Sequence, residues 1–369
     1  MKLIYSICIG VFISMAFFPS VLWANQSIEI MVDEEKLNSD VPPLKEENRI
    51  FIPLRVVSES LGAKVKWDNS KKTVTITNIE NNVHLMIGKL KAYINGNSIA
   101  LDVPARITDG RTLVPLRFVA EALGADVYWD ENSQIVWINN QYVLSSLENG
   151  EGYILNPDNG LLYYADKDKS FTKISALGLT DGFLKMEVQQ TPNGNKIATI
   201  VNTYGEPSII NKVHSLYLYK NKVKHRATAR YFNRFEKNVT LFEDKVVITD
   251  GKKAYLISDI TGEVLEVYDL QELGESKGNY FIEGIGENFI LIRHNSAGFL
   301  TLINLVAESK VLLYQELLNE VEKEFVENND VPYHGDYLRF TGKKDQTLYF
   351  ENRRFIGDKE TDNYQYVLK

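Results

Sequence analysis

The order of hydrophobic and polar residues near the start of the chain occurs twice, 62 positions apart. Residues 49–76 are RIFIPLRVVSESLGAKVKWDNSKKTVTI and residues 111–138 are RTLVPLRFVAEALGADVYWDENSQIVWI, with 14 of 28 positions identical. Self-similarity at a fixed spacing indicates a duplicated structural unit. We place the two copies at residues 30–76 and 92–138.

The pattern within each copy predicts strand, helix, strand, strand. In the first copy, a short apolar strand ends at Pro53, which is suited to the start of a helix because the first helical amides have no intrahelical acceptor. Leu54, Val57 and Leu61 then recur with the spacing of one helical face. Gly62 follows where the helix should end in a left-handed residue. The alternating residues after it predict a hairpin of two strands.

The repeated positions all have structural explanations as caps, core residues, ion pairs or turns. They are Pro53, Leu54, Arg55, Glu59, Leu61, Gly62, Trp67 and Asp68 in the first copy, and Pro115, Leu116, Arg117, Glu121, Leu123, Gly124, Trp129 and Asp130 in the second. The alternative is that the arginines bind an anion and the tryptophans stack against a ligand. We expect surface ion pairs and core-covering side chains, with no catalytic, cofactor-binding or metal-ligating role.

The segment between the two copies predicts a further hairpin. Residues 84–87 and 91–101 contain apolar positions, and Asn95-Gly96 lies in the second of these segments. Asn-Gly is typical of a type I′ turn, in which both central residues have positive φ.

The pattern DVP, then R-x3-PLR-x3-E-x-LGA-x-V-x-WD, closely resembles the copper amine oxidase N-terminal domain over residues 28–139. The first copy departs from the second at Ser58 and Ser60, where the second has Ala120 and Ala122. The resemblance implies a stalk-like α+β module of exported proteins of Gram-positive bacteria, in which sheet wraps helix. It implies no catalysis, because this module lies outside the active site of the oxidases.

Residues 141–369 predict an all-β domain. Alternating strands flank polar or glycine turns in five hairpin-like units, which begin at residues 153, 216, 255, 302 and 348. Units that recur roughly every 40–47 residues are typical of β-propeller blades, so we expect a small propeller of about five blades. A β-sandwich or an irregular β-solenoid remains the alternative. We further expect a loop insertion at residues 202–215 and one amphipathic helix over residues 314–326.

The first residues predict an export signal at residues 1–24. Lys2 precedes an almost wholly apolar segment, residues 3–18, and a helix breaker then leads to a plausible cut after Ala24. An uncleaved membrane anchor is the alternative. After cleavage, the mature chain would lack Cys8, its one cysteine, and would contain no transmembrane helix. We therefore expect a secreted or envelope-associated protein.

Composition and charge exclude several classes of function. The net charge of −8 argues against binding along a nucleic acid, and five scattered histidines offer little for a metal site. No two of them have the H-x-H spacing that an amine oxidase needs. We expect no cofactor. The residues left as candidates for chemistry are Glu243, Asp244, Asp250, Asp259, His294 and His334.

These observations favour a non-catalytic envelope protein. The duplicated module would attach it to the cell wall or hold it at a distance from the wall, and the β domain would present a recognition surface. The expected partner is a cell-wall glycan or an envelope protein. The first alternative is a glycan-processing hydrolase with a propeller catalytic domain, which would need two carboxylates about 5–10 Å apart at the mouth of a pocket. A sensor or assembly partner is a further alternative.

Overall fold

The structure is a computed structural model that describes residues 28–146, 151–168, 170–328, 335–352 and 362–368. The expected signal segment at residues 1–24, with the cut after Ala24, lies outside the described residues. So do Cys8 and His334. No helix of the described residues is long and apolar enough to cross a membrane.

The duplicated module contains thirteen strands and two helices among its described residues. In chain order these are β1 (Glu29–Val32), β2 (Glu35–Lys36), β3 (Leu44–Glu46), β4 (Arg49–Pro53), α1 (Leu54–Ser60), β5 (Lys64–Asp68), β6 (Thr73–Thr77), β7 (Asn82–Met86), β8 (Lys91–Ile94), β9 (Asn97–Ala100), β10 (Arg106–Thr108), β11 (Arg111–Pro115), α2 (Leu116–Ala122), β12 (Asp126–Asp130) and β13 (Ile135–Asn139). Each copy therefore has the expected order, β4–α1–β5–β6 and β11–α2–β12–β13.

These strands form three sheets. The first-copy sheet has the order β5-β6-β7-β8-β9, the second-copy sheet β12-β13-β1-β2, and the shared sheet β10-β11-β4-β3. In the shared sheet the two copies meet directly, because β4 and β11 pair antiparallel with Ile52 opposite Val114. Both helices bury their apolar faces in one core that extends over all three sheets. The duplication therefore builds one module with one core.

The helix boundaries agree with the sequence at their ends and differ slightly at their starts. Gly62 and Gly124 follow the helices with φ of +74° and +90°, the left-handed conformation that the sequence predicts. Pro53 and Pro115 have ψ of 119° and 118°, so each is the last residue of a strand and the cap of its helix, not the first helical residue. Asn95 and Gly96 both have positive φ, as a type I′ turn requires.

The described residues of the β domain form five successive antiparallel sheets, which we call C1 to C5. Their strands are β14 (Val143–Ser146), β15 (Gly152–Leu155), β16 (Leu161–Ala165) and β17 (Phe171–Ala176) in C1; β18 (Phe183–Gln190), β19 (Lys196–Tyr204), β20 (Ile210–Tyr219) and β21 (Lys222–Phe232) in C2; β22 (Leu241–Phe242), β23 (Lys245–Thr249), β24 (Lys253–Ser258) and β25 (Val264–Asp269) in C3; β26 (Tyr280–Ile285), β27 (Phe289–His294), β28 (Leu300–Asn304) and β29 (Ser309–Leu312) in C4; and β30 (Leu338–Lys344), β31 (Thr347–Asn352) and β32 (Asp362–Val367) in C5. Three short helices interrupt them, α3 (Leu270–Leu273), α4 (Leu313–Leu317) and α5 (Glu320–Asn328). The domain is therefore mostly β-sheet, in many small antiparallel sheets, as the sequence predicts.

The loop insertion expected at residues 202–215 is wrong. Strand β19 continues to Tyr204 and β20 begins at Ile210, so only a short turn separates them. The pairing runs unbroken from Lys196 opposite Leu218 to Tyr204 opposite Ile210. Buried polar residues such as Asn202 and Asn211 interrupt the apolar pattern of these strands, which explains the incorrect interpretation.

The single helix expected over residues 314–326 is also wrong, because α4 and α5 are separate. Leu318 has extended backbone dihedrals and ends α4. Asn319 then begins α5, since its side-chain oxygen accepts from the amide of Glu322 at 3.1 Å while the Glu322 carboxylate accepts from the amide of Asn319 at 3.0 Å. This reciprocal capping box starts a new helix where the apolar spacing alone indicates continuity.

Hydrophobic clusters join the sheets of the β domain in sequence. One cluster unites C1 with C2, others unite C2 with C3 and C3 with C4, and a further one packs α4 and α5 with C4 and C5. A small cluster that we call the seam joins the module to C1, with Ile79 and Leu144 packed against the buried Tyr142, Ile154 and Ala165. The seam also contains a hydrogen bond from Asn156 Nδ2 to Glu80 Oε1 at 3.0 Å.

Candidate functional site

The charged motif residues of the two helices lie on the surface as pairs. Arg55 Nε is 3.7 Å from Glu59 Oε1, and Arg117 Nε is 3.9 Å from Glu121 Oε1, with all four side chains more than half exposed. Such exposed pairs, one helical turn apart, stabilise a helix by only about 0.3–0.5 kcal/mol. The structure therefore gives these residues a small stabilising role.

The remaining motif residues lie in the core or in turns. Leu54, Leu61, Leu116 and Leu123 are buried, and both Trp67 and Trp129 pack partly buried against the core. Asp68 and Asp130 begin equivalent turns.

The Asp68 carboxylate accepts hydrogen bonds from the hydroxyl and the amide of Ser70, and Asp130 accepts from the amide of Asn132. The Ser70 hydroxyl lowers the pKa of Asp68, and the Ser133 hydroxyl lowers that of Asp130.

One cleft of about 630 Å³ brings motif residues of the second copy together. Arg117, Glu121 and Trp129 line it beside Arg49 and Asp102, which form an ion pair of 3.6 Å. Lys45 also lines the cleft and places its Nζ 5.0 Å from the centre of the Trp129 ring. Both arginines of this cleft pair with carboxylates, and Lys45 lies over an aromatic ring, so acidic and basic groups are mixed in its lining.

The outward face of the first-copy sheet carries a different set of residues, which we call the basic face. Its central row crosses four strands in register, Lys66, Thr75, His84 and Tyr93. Around this row lies a cleft of about 380 Å³, and Lys71, Lys91, Asp68, Thr73 and Met86 also line it. Thr75 Oγ1 is 3.0 Å from His84 Nδ1.

The lysines of the basic face lack the ion pairs that the arginines of the module make. All five arginines of residues 28–146 pair with carboxylates, in the pairs Arg49–Asp102, Arg55–Glu59, Arg106–Glu46, Arg111–Asp40 and Arg117–Glu121. By contrast, Lys64, Lys66, Lys71 and Lys91 have no described carboxylate oxygen within the 4.0 Å limit of an ion pair. Asp68 partly offsets the charge of Lys71, and Lys91 Nζ lies 5.1 Å from the centre of the Tyr93 ring. The face therefore carries an excess of positive charge on a chain of net negative charge.

The equivalent outward face of the second-copy sheet is aromatic and acidic. Tyr128, Trp137 and Met31 lie side by side on adjacent strands, and we call them the aromatic row. Tyr128 is 65% exposed, while the alternate residues of these strands point into the core. Asp126 and Asp130 flank Tyr128 along β12. Trp137 corresponds to Thr75, and Tyr128 to Lys66, in the first copy.

The four carboxylates singled out in the β domain do not form one site. Glu243, Asp244 and Asp259 lie at one end of the hairpin β23–β24, and Asp250 lies at the other end. Asp250 accepts from the amides of the two residues at 252 and 253 in a turn. Glu243 and Asp244 are near Lys245.

Asp259 is fully buried and joins C2 to C3. Its carboxylate accepts from the Asn193 amide at 2.8 Å, from Asn195 Nδ2 at 3.1 Å and from the Tyr217 hydroxyl at 3.1 Å. Burial by itself would raise the pKa of Asp259, but the hydrogen bonds from Asn193 and Asn195 hold it below its usual value. The aspartate is ionised and fully engaged in structure.

The four histidines that the structure describes lie apart from one another. His294 Nε2 lies 3.0 Å from the carbonyl of Lys277, and His225 Nε2 lies 2.7 Å from that of Gly262. His214 is buried, which together with the charge of Lys212 lowers its pKa to about 4. Within the described residues, no group of histidine, cysteine, aspartate and glutamate could hold a metal ion.

An ionic cluster that sequence reasoning missed lies between C4 and C5. Arg293 is buried and binds Glu283 through two nitrogens, and its Nη1 also donates to Asp336 Oδ1 at 2.6 Å. Burial by itself would lower the pKa of Arg293, but Asp336 and Glu283 raise it above its usual value. Nearby, Glu236 has its pKa raised by burial. The one signal in the sequence was an arginine within the apolar strand β27.

The comparison with protein families supports the resemblance found in the sequence. Residues 31–138 match the family model of the copper amine oxidase N-terminal domain. A protein described as a protease inhibitor, from Brevibacillus choshinensis, is 27% identical over 161 residues, which cover 40% of this chain and 49% of that protein. The chain thus spans about half the length of this relative.

The solved structures that are similar to this chain superpose poorly on it. A streptogramin B lyase is 13% identical, with 84% of each chain covered and a TM-score of 0.26. A virginiamycin B lyase from Staphylococcus aureus is 12% identical, with 84% of this chain and 86% of that chain covered and a TM-score of 0.24. A protein of unknown function from Bacteroides caccae is 13% identical, with 73% and 82% covered and a TM-score of 0.24. At such TM-scores these similarities carry no inference about activity.

Proposed function

We propose that the protein is a non-catalytic component of a bacterial cell envelope, exported by its amino-terminal segment. The duplicated module attaches the protein to the glycan of the cell wall. The β domain, whose five consecutive sheets we interpret as blades of a small propeller, presents a recognition surface to an envelope protein. Loops at one end of a rigid scaffold are suited to such recognition.

The observation that carries this proposal is the difference between the outward faces of the two copies. The residues that face the core are alike in both, as with Val74 and Val136 or Ile76 and Ile138. The outward residues beside them differ, since Thr75 in one copy corresponds to Trp137 in the other. Packing requires only the inward residues, so the outward ones are free to serve binding.

The aromatic row is the part of the module best suited to a glycan. A flat aromatic side chain packs against the C–H face of a pyranose ring and buries apolar area at low entropic cost. Asp126 and Asp130 lie on either side of Tyr128 along the strand and offer acceptors for sugar hydroxyls. Tyr128 is open to solvent and available for such contact.

Sedimentation with purified cell walls tests the proposal. The full-length mature chain should sediment with the walls, and the variant Tyr128→Lys/Trp137→Thr should lose at least tenfold in affinity. These substitutions are the residues that the first copy has at the same positions, so the fold accommodates them. Absence of sedimentation by the wild-type chain would disprove wall attachment.

An envelope protease is a specific partner to test for the chain, because the partial relative is described as a protease inhibitor. The chain should then form a stable complex with a secreted protease of the same bacterium and slow its cleavage of a peptide substrate. Unchanged protease activity at a large excess of the chain would exclude this partner class.

A glycan hydrolase is the second candidate, and one observation favours it. Glu236 has its pKa raised by burial close to the carboxylates of Glu283 and Asp336, a property of many general acids. Arg293, however, binds both of those carboxylates. Release of new reducing ends from purified wall glycan by the wild-type chain, abolished in Glu236→Gln, would establish a hydrolase and contradict the non-catalytic proposal.

A further inference from the structure

We infer that the basic face binds the linear phosphodiester polymer of the cell wall, which is a polyanion. The proposed wall attachment is the premise of this inference, which names a second wall component and a second site for it. The site is the cleft of about 380 Å³ on the outward side of the first-copy sheet, where Lys66, Lys71 and Lys91 surround Thr75 and Tyr93.

The charges of this cleft point to an anion. The nearby lysines have no carboxylate partner within ion-pair distance among the described residues, whereas every arginine of residues 28–146 has one. The one carboxylate in the lining, Asp68, accepts from the hydroxyl and amide of Ser70 and interacts with the charge of Lys71, so three lysines share a single negative charge. A phosphate brought to this face would therefore offset the positive charge that remains in excess there.

The spacing of the charges favours a polymer over a single phosphate. Lys66 is on β5 and Lys91 is on β8, so three spacings between adjacent strands separate them, about 14 Å in all. Lys71 lies in the turn that joins β5 to β6. Lysines spread over this width can each meet a separate phosphate of one chain, whereas a single phosphate would require their flexible side chains to converge.

Protection of a sheet edge does not explain this arrangement. Lysine on an edge strand discourages pairing with another sheet, and β5 is an edge strand, so Lys64 and Lys66 have this explanation available. Strand β8, however, lies inside the sheet between β7 and β9, and Lys71 lies in a turn. These two lysines have no edge to protect.

The second copy provides an internal comparison. Where the first copy has Lys64, Lys66 and Lys71, the second copy has Asp126, Tyr128 and Ser133. The core residues that follow are the same, so the fold does not require a cation at any of these positions. The basic face is thus a property of one copy alone, as expected for a site and not for a packing motif.

The test uses soluble linear polyphosphate of roughly 50 phosphates as the probe, with the full-length mature chain. The wild-type chain should bind it, and because about three phosphates would be neutralised, affinity should fall about 20-fold between 50 and 200 mM salt. The variant Lys66→Gln/Lys71→Ser/Lys91→Gln should bind at least tenfold more weakly.

A matched control distinguishes an effect of the basic face from an effect of the net charge of the chain. The variant Lys173→Gln/Lys222→Gln/Lys253→Gln removes three exposed lysines of the β domain and changes the net charge equally. It should retain the wild-type affinity within about twofold. Equal loss in both variants, or no loss in the first, would overturn the inference.

Cell walls decide whether the wall polymer is the source of the phosphates. Sedimentation is compared on intact walls and on walls stripped of phosphodiesters with hydrofluoric acid. Two results support the inference. The wild-type chain sediments less with stripped walls than with intact walls, and the variant Lys66→Gln/Lys71→Ser/Lys91→Gln sediments less with intact walls than the wild-type chain does. Equal sedimentation on both kinds of wall overturns it and leaves the proposed wall attachment intact, whereas no sedimentation on either disproves the attachment itself.

Discussion

Single buried polar residues hold neighbouring sheets of the β domain together. Asp259, in the turn between β24 and β25, accepts hydrogen bonds from Asn193, Asn195 and Tyr217 of sheet C2. No lysine or arginine in the part of the chain that the structure describes forms an ion pair with Asp259, so uncharged donors balance its charge there. Removal of the carboxylate would leave several buried donors without an acceptor, which costs more than a lost surface contact.

Asp259→Ala should therefore reduce the free energy of unfolding by about 3 kcal/mol. The matched control is Asp250→Ala. Asp250 also follows a strand of the same hairpin, but it accepts from two backbone amides of its own turn and from the half-buried Tyr255, so this variant should cost at most about 1 kcal/mol. Urea unfolding measures both values. Equal costs for the two variants would contradict the structural role of Asp259.

His214 makes stability depend on pH. Burial lowers the pKa of His214 to about 4, whereas an unfolded chain would have a histidine pKa near 6.5. Above pH 6.5 the side chain is neutral in both the folded and the unfolded chain, so the full stability of the folded chain is present there. Between pH 6.5 and 4 only the unfolded chain takes up the proton, so stability falls with falling pH by about 3 kcal/mol in total.

Urea unfolding at pH 7 and pH 4.5 tests this expectation. The free energy of unfolding of the wild-type chain should fall by about 2–3 kcal/mol more than that of His214→Leu over this interval. The variant loses the 3.0 Å contact between His214 Nδ1 and Thr228 Oγ1 at every pH, so only the difference between the two pH values is compared. An identical fall in both chains would show that His214 does not cause the pH dependence.

Between elements, the ionic cluster around Arg293 attaches C5 to C4. Arg293 on β27 binds Glu283 on β26 and Asp336 just before β30, and Asp336 Oδ2 accepts from the amide of Leu300 at 2.6 Å. All three charges are largely withdrawn from solvent. Removing one partner of such a cluster leaves an uncompensated buried charge.

Arg293→Met should lower the free energy of unfolding by about 3–5 kcal/mol. Arg339→Met is the control, because Arg339 pairs with Glu351 at 2.6 Å while 56% of its side chain remains exposed, and it should cost less than about 1 kcal/mol. Thermal unfolding of both variants compares them directly. A small shift for Arg293→Met would show that the cluster contributes little.

The sequence predicted elements well where one physical signal dominated. Prolines, glycines and helical spacing repeated in both copies, so the boundaries near Gly62 and Gly124 could be assigned with little ambiguity. In the β domain, the ends of β19 and β20 were predicted to be a loop, because buried asparagines are more typical of loops than of strands. Asp259, Arg293 and Asp336 could not be joined into sites, since their partners come from distant parts of the chain.

Over the whole molecule, the seam connects the two regions. The Gly62 backbone lies against it, since a Cβ at Gly62 would be 3.4 Å from Leu144 Cδ2 and 3.5 Å from Ile154 Cδ1. The end of α1 therefore contacts the first sheet of the β domain. The sequence predicted a domain boundary near residue 140 but no contact between the module and the β domain. An isolated apolar residue such as Ile79 does not indicate in the sequence which residues it packs against.

The central claim is that the repeated motif residues stabilise the fold of the module, whereas the outward residues that differ between the copies bind the cell wall. Cell-wall sedimentation of three chains tests it most directly: the wild type, Tyr128→Lys/Trp137→Thr, and Arg55→Ala/Arg117→Ala. We expect the first and third to bind alike and the second to bind at least tenfold more weakly, with melting temperatures nearly unchanged because the altered side chains lie outside the core. Full binding by the second chain, or loss of binding by the third alone, would contradict the account.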